Sequence, residues 1–261
     1  MTLRGLATLA AADLIACEDT RVTRILLDRY AIATPLTAYH DHNAERQRPK
    51  LLAALGEGRS VALVSDAGTP LISDPGYRLV QAAVAEGHPV VPIPGASALL
   101  SALVAAALPT DAFLFGGFLP PKSGARRTRL AELASVPSTL VFYESPQRLA
   151  DSLADMAAVL GGGRAAAVAR ELTKKFEEVR RGTLAGLAEA YGKEAVPKGE
   201  VVVVVGPPLS QAPAEADIDA LLTALLARSA LRDAVDEAVV ATGLPRRELY
   251  RRALALRDKD K

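Results

Sequence analysis

Short, continuous apolar runs alternate along the chain with segments in which apolar residues recur at helical spacing. Three such runs in the first half are Leu14–Cys17, Val61–Val64 and residues 90–93, and each leads into a polar or glycine-containing loop. A strand buried on both faces is apolar throughout, whereas a strand with one solvated face alternates apolar and polar residues. The pattern therefore predicts an α/β fold with a mainly parallel sheet that helices cover on both faces.

Two glycines and two prolines within residues 116–121 interrupt this alternation. Further apolar runs follow at residues 139–143, 165–169 and Val201–Val205. We therefore predict an N-terminal α/β domain of residues 1–117 and a C-terminal α/β domain of residues 118–208. Prolines at positions 207, 208 and 213 indicate a linker. Residues 215–261 then have the length and the central break of a helix-turn-helix appendage.

The composition excludes several classes of protein. The 31 Lys and Arg residues nearly balance the 30 Asp and Glu residues, so any nucleic-acid surface must come from local clustering of charge. Cys17 is the single cysteine, which excludes an internal disulfide and a zinc motif. No apolar run approaches the roughly 18 to 20 residues of a membrane span. We expect a cytoplasmic protein that uses neither a metal nor a membrane.

Small and polar residues occupy the loops that follow the predicted strands. These loops comprise residues 65–70, 73–76 and 92–97. Ligands of open α/β sheets bind at the carboxyl ends of the strands, and glycine or alanine there lets a ligand approach the backbone closely. Each loop alone also suits an ordinary capped turn, so only their combination predicts a site. The glycine fingerprints of Rossmann and P-loop proteins are absent from the sequence.

Seven short motifs occur in the order found in one family. They are ACEDTR at 16–21, YHDHN at 39–43, VSDAGTP at 64–70, PIPGAS at 92–97, FYESP at 142–146, RELTK at 170–174 and KGE at 198–200. Over nearly its whole length the chain resembles the ribosomal RNA small subunit methyltransferase I family, which has the tetrapyrrole methylase fold.

The resemblance implies two α/β domains that bind S-adenosylmethionine in the cleft between them, in a homodimer. The implied reaction is 2'-O-methylation of a cytidine in the decoding region of small-subunit (16S) rRNA, with free rRNA or the assembled small ribosomal subunit as partner. Together with the strand-end loops, it assigns cofactor contacts to three segments. Their residues are Ser65, Asp66, Ala67 and Gly68, then Pro94, Gly95, Ser97 and Ala98, and finally Phe142 and Tyr143.

The chain departs from the family pattern at its start. Members begin with an apolar strand and a loop ahead of the first helix, whereas this chain begins at Met1 within that helix. We expect that first strand to be lacking here, with a start codon assigned too far downstream as the preferred explanation. We also expect this chain to bind S-adenosylmethionine less tightly than a version extended upstream.

Methyl transfer to a hydroxyl needs in-line placement and removal of the hydroxyl proton, and it requires no metal. Among the polar groups of the strand-end loops, His42 and Glu144 are the preferred proton acceptors. The alternative for the His42 segment is a solvated loop. Asp19 also suits the cap of the following helix.

Clusters of Lys and Arg indicate where RNA phosphates would bind. The predicted RNA contacts are Lys122, Arg126, Arg127, Arg246, Arg247 and Arg251, with Tyr250 available for stacking. A third cluster between Arg170 and Arg181 is diluted by glutamates. Each cluster alone is also compatible with a solvated face.

Two other functions remain open from the sequence. A tetrapyrrole or corrin methyltransferase would use the same cofactor, and the basic clusters would then meet the carboxylates of a macrocycle. A non-catalytic ribosome-binding protein is the alternative if the N-terminal segment is truly missing.

Overall fold

The computed structural model describes residues 1–66, 68–209, 215–242 and 244–259, and its strands form two separate sheets. The chain divides into two compact units, Met1–Pro208 and Leu209–Lys261. Both sheets belong to the first unit. The predicted linker lies mostly outside the described residues.

The first sheet is parallel, as predicted, and has the order β2-β1-β3. Its strands are β1 (Leu14–Cys17), β2 (Leu36–Ala38) and β3 (Val61–Val64). Ile15 of the central strand lies opposite Leu36 on one side and Ala62 on the other. The helices of this region are α1 (Leu3–Ala11), α2 (Thr20–Arg29), α3 (Ala44–Gly56) and α4 (Tyr77–Ala85). Three side chains of β1 are fully buried because Ile15 and Cys17 pack with residues of α1 and α2 on one face, and Ala16 packs with residues of α3 and α4 on the other.

The strand predicted at residues 90–93 is wrong. Residues 88–97 carry no regular structure, and Val90 and Val91 are 48% and 71% exposed. Within the described residues, β3 pairs with β1 on one edge and with no strand on the other. A strand persists only where a neighbour takes its backbone hydrogen bonds, and Pro92 has no N–H to offer. The segment therefore runs unpaired towards the next helix.

The second sheet has the order β4-β5-β8-β6-β7. Its strands are β4 (Phe113–Phe118), β5 (Thr139–Glu144), β6 (Ala165–Arg170), β7 (Glu178–Thr183) and β8 (Val201–Val205). Only β4 and β5 pair in parallel; β8 runs antiparallel to β5 and β6, and β7 antiparallel to β6. Three of the four strand pairs in this sheet are therefore antiparallel. The domain boundary predicted after residue 117 falls inside β4, whose partner is β5.

Helices cover both faces of the second sheet. They are α5 (Ala98–Ala106), α6 (Ser123–Leu133), α7 (Leu149–Leu160), which follows a 3₁₀ turn at Pro146–Arg148, and α8 (Leu184–Lys193). Val141 and Val204 pack on one face beneath α5, whereas Phe142 and Val203 pack on the other beneath α6, α7 and α8. This division follows from the alternation of side chains along a strand. The confirmed α/β class thus rests on two apolar cores around one sheet.

The second unit consists of helices in the part of it that the structure describes. These are α9 (Glu215–Leu226), α10 (Leu231–Thr242) and α11 (Arg246–Lys259). They pack through a shared apolar core that includes Leu222, Val235 and Leu249, all fully buried. Gly243, in the break between α10 and α11, lies outside the described residues.

Arg126, predicted to contact RNA, is buried in the first unit. Its Nε and Nη2 each lie 2.7 Å from Oδ2 of Asp155, and its Nη1 donates to the carbonyl of Pro121. Ser123 donates a further hydrogen bond to the same carboxylate. The prediction for Arg126 is corrected: the guanidinium ties α6 to α7. Arg127, by contrast, is largely exposed, and its Nη1 makes only a long contact with Oδ1 of Asp155, at 3.8 Å.

Replacing Asp155 by alanine is expected to lower the free energy of unfolding by about 3–5 kcal/mol, because it leaves the Arg126 charge buried and unpaired. Arg127→Gln is the matched control and is expected to change stability by less than about 0.5 kcal/mol. Urea unfolding followed by circular dichroism measures both. Equal stability of Asp155→Ala and the parent would contradict the structural role of the pair.

Candidate functional site

The carboxyl ends of the three strands of the first sheet meet at one edge. The loop after β3 is held there by a hydrogen bond of 2.8 Å from the Ser65 hydroxyl to Oδ2 of Asp74. At the end of β1, Asp19 caps α2 by accepting a hydrogen bond from the Arg21 N–H at 2.8 Å. The Asp19 backbone and the Thr23 hydroxyl both act to lower the pKa of Asp66, against its burial. The capping role considered for Asp19 is therefore confirmed.

Three carboxylates lie at this edge, those of Asp19, Asp66 and Asp74, and Asp19 forms an ion pair of 2.6 Å with Arg21. Burial raises the pKa of Asp74, and the charge of Asp66 raises it further, against the hydrogen bond from Ser65. Loss of hydration and the neighbouring charge of Asp19 likewise raise the pKa of Asp66. Hydrogen bonds from Arg21 hold the pKa of Asp19 at about 2. A cationic ligand would relieve the repulsion between Asp66 and Asp74, since it favours the ionised form of both.

The loop after β3 also reaches the second sheet. A Cβ at Gly117 of β4 would lie 3.5 Å from the Ser73 hydroxyl, and Gly117 has a φ of +64°. Leu71 and Ser73 also have positive φ, at 73° and 60°, although neither is glycine. Such conformations persist only where the surroundings enforce them, and they concentrate at functional sites.

Tyr143 brings the second sheet into the same edge. Its ring makes edge contacts with Phe115 and Phe118, at centroid distances of 4.9 and 5.6 Å. Burial raises the pKa of the Tyr143 hydroxyl against a hydrogen bond from the Leu99 backbone, and the charges of Asp74 and Glu200 raise it further. Tyr143 and Leu99, at the start of α5, border the same apolar cluster.

Phe142 does not join this edge. It is fully buried on the opposite face of the sheet, where a Cβ at Gly116 would overlap its ring. Neighbouring residues of a strand point to opposite faces, so only one of Phe142 and Tyr143 can face the site. The cofactor contact assigned to Phe142 is therefore corrected, while Tyr143 stays a prediction.

The other predicted cofactor residues lie on two loops. Ser65, Asp66 and Gly68 follow β3, and Ala67 lies outside the described residues. Pro94, Gly95 and Ala98 are exposed, and Ser97 is half-buried at the start of α5. The Ser97 side chain makes no capping hydrogen bond, and the Pro94 carbonyl accepts one from the Thr2 hydroxyl at 3.4 Å. The segment around Pro94 and Ala98 is thus on the surface, where a ligand can reach it.

The two candidate proton acceptors occupy opposite environments. His42 is exposed on the loop after β2, with its ring 6.0 Å from that of His40. Glu144 is 3% exposed, and its two oxygens accept hydrogen bonds from the Ser145 N–H at 2.7 Å and the Ser152 hydroxyl at 2.6 Å. Arg148 completes an ion pair with it at 2.6 Å. Glu144 is therefore a structural residue, and His42 remains the candidate.

Sequence reasoning missed a cavity between the loops after β2 and β3. It has a volume of about 160 Å³, and its lining includes Tyr39, Asp41, Asp74, Tyr77 and Arg78. Typical ligand pockets are larger, at roughly 300–1,000 Å³, so this cavity could hold only part of a nucleoside. Asp74 belongs to a loop that the sequence analysis singled out. Only the fold shows that it bonds to Ser65 and lines a cavity with Tyr39.

The predicted RNA contacts of α11 differ in their surroundings. Arg246 forms an ion pair of 2.7 Å with Asp236 of α10. Arg247 and Arg251 are exposed and have no ion pair within the described residues. Arg247 lines an open groove on this unit together with Arg232 and Tyr250. Lys122 is exposed on the first unit.

The described residues contain no cluster of three His, Cys, Asp or Glu side chains that could hold a metal ion. Across the described ranges, no helix combines the length and the apolar character needed to cross a membrane.

Two family models match the chain. One is described as Tetrapyrrole (Corrin/Porphyrin) Methylases and matches residues 1–188. The other is described as RsmI C-terminal HTH domain and matches residues 212–257.

Several curated relatives are named Ribosomal RNA small subunit methyltransferase I. The chain is 60% identical to that protein of Mesorhizobium japonicum, over 99% of this chain and 88% of the relative. It is 46% identical to that of Halalkalibacterium halodurans, over 96% and 88%. The protein of Pseudomonas aeruginosa is 45% identical, over 98% and 92%.

Solved structures with much lower identity share the fold. A cobalt precorrin-4 methyltransferase of cobalamin biosynthesis has a TM-score of 0.59 and 17% identity, over 79% of this chain and 88% of that chain. Uroporphyrin-III C-methyltransferase from Thermus thermophilus, in complex with S-adenosyl homocysteine, has a TM-score of 0.53 and 20% identity, over 78% and 90%. These likenesses concern the fold alone.

Replacing Glu144 by glutamine is expected to lower the free energy of unfolding by about 1–3 kcal/mol, because the variant loses the charge that pairs with the partly buried Arg148. His42→Ala is expected to stay within about 0.5 kcal/mol of the parent, because His42 is exposed. Thermal and urea unfolding compare the two. A Glu144→Gln protein as stable as the parent would return Glu144 to the candidate proton acceptors.

Proposed function

This chain belongs to the ribosomal RNA small subunit methyltransferase I family, within the tetrapyrrole methylase fold, and we propose that it methylates the 2'-hydroxyl of a cytidine in the decoding region of 16S rRNA. Membership of this family gives the general activity, which is methylation of small-subunit rRNA with S-adenosylmethionine as donor. The observation that carries the proposal is 60% identity over 99% of the chain to a relative of that name. The accessible polar loops at the strand ends support it.

The residues of the site fit S-adenosylmethionine, which supplies a methyl group on a positively charged sulfur. Burial raises the pKa values of Asp66 and Asp74, and the charge of a neighbouring carboxylate raises each further. A positive charge nearby would stabilise both as carboxylates. The exposed backbone around Pro94, Gly95 and Ala98 offers hydrogen-bonding groups for the remainder of the molecule.

We assign proton removal to His42. The neutral imidazole is the side chain best suited to accept a proton near neutral pH. Its exposed position on the loop after β2 lets a large RNA approach it. Tyr143 and the loop after β3 then orient the reacting groups, which is the main contribution that methyl transfer requires of a protein.

RNA phosphates would bind exposed cations that have no close ion pair among the described residues. These are Lys122 on the first unit and Arg247 and Arg251 on α11, together with Arg127, whose contact with Asp155 is long at 3.8 Å. Arg246 is already neutralised by Asp236 and contributes less.

We further propose a cytoplasmic homodimer. Its formation would cover exposed apolar side chains such as Leu100 and Val104 of α5.

The direct test incubates the chain with labelled S-adenosylmethionine and small ribosomal subunits from cells that lack this methylation. We expect label on one cytidine of 16S rRNA, in a linkage that resists alkaline hydrolysis because the 2'-oxygen is blocked. His42→Ala should lower the rate by about 10²–10⁴-fold, and His88→Ala, in a distant turn, should not. Methylation of a base would overturn the proposal. Transfer to a porphyrinoid, or no transfer at all, would select one of the alternative functions.

The α11 contacts are tested by the salt dependence of binding to a 16S rRNA fragment, measured by fluorescence anisotropy. Each lost phosphate contact reduces the slope of log K against log salt by roughly 0.7–0.9. The double variant Arg247→Gln, Arg251→Gln should therefore reduce the slope by about 1.5, and Arg246→Gln should change it much less. An unchanged slope in the double variant would show that this face is only solvated.

A further inference from the structure

Lys175 lies in the loop between β6 and β7, residues 171–177. It is the one cation of this region that has no anionic or carbonyl partner among the described residues. The region contains Arg170, Lys174, Lys175, Arg180 and Arg181. Arg170 pairs with Glu178, Lys174 with Glu171 and Glu200, and Arg180 with Glu178 and Glu194, while Arg181 donates to the Ala105 carbonyl. Lys175 has no such contact within the described residues. Its Nζ instead lies 5.6 Å from the centre of the Phe176 ring.

Other residues hold this loop in a defined shape. Lys174 Nζ lies 2.8 Å from both Oε1 of Glu171 and Oε2 of Glu200, and the Glu200 N–H donates to Glu171 at 3.0 Å. Glu171 and Thr173 have positive φ values of 49° and 65°. A Cβ at Gly199 would overlap the Glu171 carboxylate. These contacts fix the backbone of the loop. Lys175 and Phe176 take no part in them, so both side chains can contact a ligand.

Phe176 is 65% exposed at the end of this rigid loop. A single exposed aromatic side chain is unremarkable by itself, but here it stands beside an unpaired cation. An exposed aromatic face next to a positive charge matches an unpaired nucleotide, whose base stacks on the ring and whose phosphate binds the cation.

The loop leaves the sheet at the edge that carries the site. Strands β5 and β6 are both antiparallel to β8 and so point the same way. Their carboxyl ends lie about 10 Å apart, two strand spacings, at one edge. Glu200, which holds Lys174, is also close enough to Tyr143 for its charge to act on that hydroxyl.

We propose that Phe176 and Lys175 form a nucleotide-docking pair, in which the ring stacks on an unpaired base of the RNA substrate and the ammonium binds an adjacent phosphate. This inference rests on the proposed function, because it takes RNA as the substrate. A ribose can be methylated only where the strand is accessible, and bases next to such a nucleotide are free to stack on protein side chains. The pair would hold the strand beside the site without touching the reacting atoms.

The test uses the full chain and the variants Phe176→Ala, Phe176→Tyr and Lys175→Gln. Phe113→Ala is the matched control. Phe113 is also a partly exposed phenylalanine, but it lies at the start of β4, the end of that strand away from the site. We expect Phe176→Ala to weaken binding of a 16S rRNA fragment about 10-fold and to raise KM for the small subunit, with kcat within about twofold. Phe176→Tyr should restore binding, since the ring remains. Lys175→Gln should reduce the slope of log K against log salt by roughly 0.7–0.9, the change expected for one lost phosphate contact.

Two controls separate the outcomes. All variants should keep the affinity of the parent for S-adenosylmethionine and its unfolding midpoint, since neither residue supports the cofactor loops or a core. If the parent methylates rRNA and Phe176→Ala binds RNA as well as the parent does, the docking pair is wrong while the proposed function stands. If Phe176→Ala loses affinity for assembled subunits but not for the rRNA fragment, the partner is a ribosomal protein and the inference is overturned. If the parent methylates no rRNA, the proposed function itself fails.

Discussion

All five valines of β8 are buried, and the strand hydrogen-bonds to β5 on one edge and to β6 on the other. Alternate valines enter the two cores, with Val203 beneath α6, α7 and α8 and Val204 beneath α5. Because β8 is antiparallel to both neighbours, it makes β5 and β6 point the same way. This pairing therefore sets which loops of the second sheet meet at the site edge.

Buried charge determines much of the remaining architecture. Arg126 with Asp155, and Glu144 with Arg148 and Ser152, each join separate elements through contacts to a buried carboxylate. Arg164 is also buried, and its guanidinium donates to the carbonyls of Gly206 and Ala134. Hydrogen bonds and ion pairs offset part of the cost of burying an ionised group in such surroundings. These side chains are consequently part of the scaffold and unavailable to a ligand.

The surface cations fall into two groups once their partners are counted. Arg170, Lys174, Arg180 and Arg246 are engaged by carboxylates, whereas Lys175, Arg247 and Arg251 have no ion pair among the described residues. A chain of formal charge +1 attracts RNA weakly as a whole. The proposed RNA contacts therefore rest on these individual cations and not on the total number of basic residues.

The sequence by itself determined the α/β class, the positions of β1, β3, β5, β6 and β8 and the loops that follow them, because these depend on local hydrophobic periodicity and turn chemistry. It also contained the ordered motifs by which the family is recognised. It did not determine the direction of β8, the unpaired state of residues 90–93 or the burial of Arg126 and Glu144. It could have indicated that Phe142 and Tyr143 face opposite ways, but not which of them faces the site. Those features were decided by the tertiary structure, because strand pairing and ion pairing join residues far apart in the chain, and a local pattern does not specify a distant partner.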